Sequence, residues 1–395
     1  VLDITSSFDD GMHSLLRHAA AEGPVAVDAT SGATVVLRHA DVEALALDHR
    51  LAGVGLSFFD LMGIGDGPLR RWYGSLMFTN EGPTHKRLRS LVSRAFTPRA
   101  AEAMRSHARS LAEVAFEPIA AAGGGDLIAR VADLPMRVMC RLLGVPDADV
   151  AVFWEWADAL SPTFTFMDPE QVENATRAIT SLLEYVDDLA ATRKSEPADD
   201  LITALLAAED DGERLSHGDL CDMVANLIVG GHDTTASQLG CTLLTLLREP
   251  GETSRLRASP DLLPSAVSET IRFEPSITGV PRTVTEPVSV AGTELDAGSL
   301  VLLSTAAANR EPGVWHEPDR FDVARFADSA AVPRLLSFGA GTHYCLGAAL
   351  ARMTVEETVR EHLALGAVEP AGDLGAVAWR SVLGRAPVAL PVVVG

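Results

Sequence analysis

The stretch from Ser216 to Glu249-Pro250 sets the scale of the chain. Ser216 has a carboxylate three positions on, Asp219, which is the pattern of a reciprocal helix cap. Pro250 marks the far end, because a proline lacks the amide and clashes with the preceding turn. Roughly 33 residues of helix at 1.5 Å each span about 50 Å, enough to cross the whole molecule. Other elements must then pack around this one. Its middle reads Leu227-Ile228-Val229-Gly230-Gly231-His232-Asp233-Thr234-Thr235-Ala236. An acid and two hydroxyls interrupt an apolar run, which costs stability unless they are paired or wet. Two readings stand. Gly231 ends one helix and Asp233 caps another, or one helix carries polar groups for a chemical reason.

A second stretch, Leu336-Ser337-Phe338-Gly339-Ala340-Gly341-Thr342-His343-Tyr344-Cys345-Leu346-Gly347, is a glycine-punctuated loop opening into a helix. From Leu346 onward Leu350, Met353, Val355 and Val359 recur at roughly helical spacing, with Arg352 and Glu356 on a wet side. Cys345 therefore sits at or beside a helix N-terminus, where free amides and the helix dipole favour an anion. That placement favours a thiolate. Gly339 and Gly341 remove side chains on the approach, so the backbone can press against a flat ligand. Phe338 adds an aromatic face and His343 a donor.

Composition narrows the class. The 395 residues are 47% hydrophobic and 22% charged, an ordinary balance with no apolar run long enough to span a membrane. A net charge of −22 argues against nucleic acid as a partner. Cys140, Cys221, Cys241 and Cys345 lie far apart without a CxxC, which points to reduced thiols in a cytoplasm. The opening Val1-Leu2-Asp3-Ile4-Thr5 carries neither a charged n-region nor a long apolar run, so no signal peptide is expected. No repeat or Ser/Gly-rich linker divides the chain, and residues 1–395 are read as one unit. Ala- and Leu-rich helical text dominates. Thr34-Val35-Val36-Leu37 is a strand, expected to pair with Leu300-Val301-Leu302-Leu303, and a helix follows from about Asp41.

Three further features have two readings each. Phe58, Phe59, Met77 and Phe78 in the first half, and Phe164 and Phe166 later, sit in aromatic-laden irregular segments. They are either satellite core or a ligand surface. Between His85 and Arg109 lie Lys86, Arg87, Arg89, Arg94, Arg99, Arg105 and Arg109 against the single acid Glu102. They are a basic helix paired with acidic neighbours, or a local positive field. Glu269 and Arg272 stand at i, i+3, a spacing usually seen in surface decoration.

Phe338-Gly339-Ala340-Gly341-Thr342-His343-Tyr344-Cys345-Leu346-Gly347 resembles the haem-binding loop of the cytochrome P-450 family in its bacterial form. The likeness covers nearly the whole chain and is strongest from 216 to 366. It implies a mainly α fold with small peripheral β-sheets, one haem b (iron protoporphyrin IX), and Cys345 as the thiolate ligand to iron. It further implies an acid–alcohol pair at Asp233 and Thr234 on the long central helix. Breaking the O–O bond needs protons, which a solvent-linked carboxylate and a neighbouring hydroxyl can relay. His85 and Arg89 match the family's contacts to one haem propionate, and Arg282 the second. By the same likeness Phe58, Phe59, Met77, Phe78, Phe164, Phe166, Val229, Gly230, Ile277, Thr278 and Val280 wall a substrate pocket. Glu269 and Arg272, with Arg320 as third member, hold the irregular chain from about Glu311 to Cys345.

The activity so implied is insertion of one atom of O2 into a C–H bond of a hydrophobic small molecule, as hydroxylation or epoxidation. A terpenoid, steroid or polyketide is the expected class. Two electrons, ultimately from NAD(P)H, would come from a ferredoxin-type protein docking on the 85–109 region. A peroxide-driven haem-thiolate oxygenase and a non-enzymatic haem sensor are the alternatives. One departure is visible: Ala351-Arg352-Met353 is followed by Thr354, where the family usually has an acid that Glu356 or Glu357 could replace.

Overall fold

The computed structural model describes all residues except 1, 4–8, 10, 94, 95, 208, 211, 212, 215, 329, 331 and 382. The central helix runs unbroken from His217 to Arg248, so Gly231 and Asp233 lie inside one helix. Its start is the expected cap: Ser216 accepts from the Asp219 amide while Asp219 accepts from the Ser216 amide. Most of its residues from Leu220 onward are buried. An all-round buried helix is a core element, and the rest of the chain is laid around it.

On one flank lie Leu134–Leu143, Val150–Leu160 and Pro169–Ser195. They share one large apolar cluster with the N-terminal half of the central helix, through residues such as Met136, Phe153, Leu182 and Val224. On the other lie Arg105–Ala122, Leu263–Phe273 and the cysteine helix, Ala348–Ala364. A second cluster joins these to the C-terminal half through Phe116, Leu243, Ile271 and Val359.

Strands are few and peripheral. The largest sheet has the order Val25–Val27, Thr34–Val36, Leu300–Leu303, Val280–Val284, Leu51–Ala52. The expected pairing is present: Val35 faces Leu302 in a parallel ladder. The helix expected from Asp41 spans His39–Ala46. A hairpin of Trp379–Ser381 and Arg385–Pro387 lies against the central helix. Among the described residues, no helix is long and apolar enough to cross a membrane.

The irregular chain after Ala308 is held by a sealed charge network. Glu269 and Arg272 are fully buried, with Arg272 Nε donating to Glu269 Oε2 at 2.7 Å and Nη2 to Oε1 at 2.8 Å. Arg272 Nη1 also donates to the Asn309 and Pro318 carbonyls. The third member is Arg325 and not Arg320. Arg325 Nε reaches Glu269 Oε1 at 2.9 Å, whereas Arg320 pairs at the surface with Glu317. The reason is backbone direction: the Arg320 carbonyl, not its guanidinium, faces the network and accepts from Arg325. From there Asn309 carries the hold to the cysteine loop, bonding the Ser337 hydroxyl and the Leu336 amide.

Candidate active site

The cysteine loop and the central helix bound one cavity of about 390 Å³, lined on one side by Phe338, Gly339, His343 and Cys345 and on the other by Gly230 and Thr234. Cys345 opens onto it, its amide donating to the Phe338 carbonyl at 2.9 Å. Burial pushes the Cys345 thiol up from its usual range. The Gly347 and Ala348 amides, with Arg89 and Arg352, pull the other way. The amides expected to favour a thiolate are therefore turned toward Cys345, with two cations beside them. Gly339 and Gly341 also meet a backbone requirement. Both have positive φ, 72° and 69°, and Gly341 also packs against Ala46 and Leu47. The cysteine helix proper starts at Ala348, with Gly347 as its N-cap.

Opposite chemistry comes from the central helix. Thr234 lines the cavity, and its hydroxyl donates to the Gly230 carbonyl one turn back at 2.9 Å. Asp233 does not line the cavity. It is buried behind the helix, accepting from Arg380 at 2.7 Å and from the Gly384 amide at 3.0 Å. The Arg380 side chain is 36% exposed, so this carboxylate is one side chain from solvent. Ser276 donates to the Thr234 carbonyl and its amide to Gln238, which seats the next wall, Ile277 to Val280, beside the helix.

A basic rim completes the site. His343 lines the cavity, and its Nε2 lies 2.9 Å from both Glu81 oxygens. Burial raises the Glu81 carboxyl, but His343 and the Gly53 amide more than offset this and hold it below its usual range. His85 packs tilted against His343, 4.4 Å between ring centroids, and is buried, which with the nearby cations holds its imidazole toward the neutral form. Arg89 donates to the Tyr344 carbonyl at 2.6 Å. Arg282 lines the cavity, is 7% exposed and has no ion pair among the described residues, donating only to the Pro281 carbonyl. Burial pulls its pKa down, against the attraction of Glu81.

The sequence profile of "Cytochrome P450" matches residues 149–360. The chain is 34% identical over 347 residues to the 6-deoxyerythronolide B hydroxylase of Saccharopolyspora erythraea, covering 86% of this chain and 83% of that one. It is 39% identical over 284 residues to the mycinamicin IV hydroxylase/epoxidase of Micromonospora griseorubida, 71% and 69% of the two chains. The structure matches that of CalO2 with a TM-score of 0.92 at 30% identity, over 100% of this chain and 99% of the other. The chain belongs to the cytochrome P450 family. It is a P450 monooxygenase, with the family's mainly helical fold and small peripheral sheets.

The residues of this P450 fit the family's haem. A thiol with two amides turned toward it opens into the cavity, and Phe338 supplies a flat apolar face there. Arg282 is a buried cation awaiting an anion, which is costly unless one is supplied. The pocket residues part into two groups. Met77, Gly230, Ile277 and Val280 line the cavity, whereas Phe58, Phe59, Phe78, Phe164, Phe166, Val229 and Thr278 do not. The phenylalanines pack on one another instead: Phe58 on Phe166, Phe59 stacked on Tyr73 at 4.2 Å, and Phe78 on Phe164 at 5.5 Å. Aromatic pairs gain from mutual edge and offset contacts; Phe59 is buried core, Phe58, Phe78 and Phe164 pack partly buried against it, and Phe166 is exposed. Val229 faces the core of the helical flank, and the Thr278 carbonyl accepts from Ala306.

The basic stretch divides in the same way. Arg87 pairs with Asp219, Arg105 with Glu102, Glu356 and Glu357, and Arg109 with Glu357. Glu357, fully buried on the cysteine helix, anchors what the departure at Thr354 left open. Lys86 and Arg99 remain exposed, and Arg94 lies outside the described residues. Reasoning from the sequence missed Arg380, Glu81 and Arg325. Each acts across a long sequence separation, and none stands in a motif that marks its partner.

Proposed function

We propose that this P450 binds haem b with Cys345 as its axial thiolate and inserts one atom of O2 into a C–H bond of a hydrophobic small molecule, by hydroxylation or epoxidation. The observation that carries this is the sharing of one cavity by the Cys345 thiol and the Thr234 hydroxyl, with Asp233 held behind the same helix turn. Arg282, His343 and the His85–Arg89 pair would hold the propionates, and Phe338 and Gly339 would lie against the macrocycle. Bound there, the haem supplies reductive activation of dioxygen.

The chain's own residues do the rest. Asp233 takes protons from water along Arg380 and passes them toward Thr234. The Thr234 hydroxyl, hydrogen-bonded to the Gly230 carbonyl, can turn to orient a water at the cavity wall. Met77, Ile277 and Val280 exclude bulk water and press an apolar substrate toward the reacting side. A polyketide, terpenoid or steroid scaffold suits these apolar walls, and the relatives named for hydroxylating or epoxidising 6-deoxyerythronolide B and mycinamicin IV support a substrate of that kind. Electrons, ultimately from NAD(P)H, would come through a ferredoxin-type partner on the cysteine side, met by the exposed Lys86 and Arg99. Reduced cysteines, all four free, are consistent with a cytoplasmic setting. The sheet joining Thr34–Val36 to Leu300–Leu303 supports residues 1–395 acting as one unit.

The first test is the difference spectrum of the reduced protein with carbon monoxide. A strongly red-shifted Soret band supports thiolate ligation by Cys345, and its loss in Cys345→His ties the band to that residue. A band typical of histidine-ligated haem in the native chain overturns the assignment. Turnover with ferredoxin and reductase, compared with peroxide alone, then separates the monooxygenase from a peroxide-driven enzyme or a sensor.

A further inference from the structure

Away from the cavity, the start of the central helix carries three groups that the oxygenase reading leaves unused. His217 and Cys221 stand at i, i+4 on one face of that helix, and Asp187 reaches them from the long helix Pro169–Ser195. One ligand atom from each lies within 4.8 Å of the others. His217 Nε2 touches an Asp187 carboxylate oxygen and sits 3.9 Å from Cys221 Sγ. Cys221 is 7% exposed and aimed into the cluster, with no closer hydrogen-bond partner among the described residues. By contrast the His217 and Asp187 side chains are 43% and 58% exposed, so the cluster is open to water on one side.

We propose that Asp187, His217 and Cys221 form a binding site for a divalent transition metal, with zinc the ion they fit best. Imidazole, thiolate and carboxylate together are the donor set of a borderline-soft ion that takes four ligands in a tetrahedron. Three come from the protein, and water on the exposed side completes the set. Calcium and magnesium are poorly served, because they take oxygen donors in larger number. The electrostatics agree. Burial, with Asp187 and Asp222 adding and Lys194 opposing, raises the Cys221 thiol to about 11. Asp187 and Asp222 make the site negative. A divalent cation displaces the thiol proton to solvent and offsets the carboxylates. Its effect is a clip between two helices that otherwise meet through apolar contacts, placed at the end of the helix that carries Asp233 and Thr234.

The test uses the haem-loaded protein, freed of metals by a chelator and titrated with zinc against a chromophoric competitor. One zinc per chain is expected. Cys221→Ser and His217→Ala should each weaken it by about 100-fold, and Asp187→Asn by about tenfold. X-ray absorption at the zinc edge should show one sulfur near roughly 2.3 Å and lighter donors near roughly 2.0–2.1 Å. Zinc should raise the melting temperature of the native chain and leave Cys221→Ser unmoved. An unchanged carbon monoxide spectrum in each variant shows that folding survives. Zinc bound equally by native chain and Cys221→Ser, or a shell without sulfur, overturns the proposal. Neither readout depends on oxygenase activity, so the clip and the proposed function stand or fall separately.

Discussion

The two walls of the cavity use the same chemical pair, carboxylate with guanidinium, to opposite ends. Behind the cysteine loop Glu269 and Arg272 are fully buried; the remaining Arg272 bonds go to backbone carbonyls of the chain they hold, and Glu269 accepts from the Asp322 amide and the Arg325 guanidinium. Behind the central helix Asp233 is almost as buried, but its partner Arg380 is over a third exposed. A sealed pair cannot exchange with water, so it can only hold. A pair with one end in solvent can open, and opening connects the inside to bulk protons. The lesson is that access, more than burial of the acid itself, decides whether an ion pair is a brace or a relay.

The largest expected effect breaks the brace. Glu269→Gln leaves Arg272 and Arg325 buried without a counterion, and should cost about 3–5 kcal/mol. Chemical denaturation should show it, with loss of bound haem. Little change in either would mean that the two walls do not differ as argued.

A smaller effect should arise from pH on the cysteine helix. Burial lowers the His362 pKa from 6.5 to about 4, and its Nδ1 has no hydrogen-bond partner. As pH falls through this window the unfolded chain binds a proton that the folded chain refuses. Stability should therefore decline from pH 6.5 to about 4, by up to about 3 kcal/mol, and level off below. His362→Phe should flatten that slope in denaturation curves taken across the window. An equal slope in the variant would place the titration elsewhere.

The relay should respond mainly in rate. Asp233→Asn should slow product formation by about 100-fold, at the low end for general acid–base groups, in protein that still folds. Thr234→Ala should keep the haem while diverting reducing equivalents to peroxide. Equal product per electron in that variant would remove Thr234 from the relay. Smallest is the contrast inside the brace. Arg325→Ala should lower stability by about 1–2 kcal/mol, whereas Arg320→Ala should leave the denaturation midpoint in place.

Local features were legible and long-range partners were not. The Ser216 cap, the run to Arg248 and the loop ahead of the cysteine helix depend on residues a few positions apart, whose spacing is visible in the text. The pairing of Val35 with Leu302 was readable too, because both strands are short apolar runs. Arg320 and Arg325 share one loop, and only the direction of the backbone decides which side chain turns inward. Arg380 stands 147 positions from Asp233, in a hairpin without any charge pattern to single it out. The aromatic segments failed for another reason. Residue type alone does not separate rings that face a ligand from rings that face one another.

The parallel ladder between Thr34–Val36 and Leu300–Leu303 also fixes an order of events at the ribosome. At about 5–20 residues per second, the first strand waits roughly 13–50 s for its neighbour to be made. The cysteine loop is later still. A nascent chain therefore cannot close this cavity until most of the sequence has been made, and the proposed capture of haem would come late, with an almost complete chain already waiting. Such non-local pairing folds slowly.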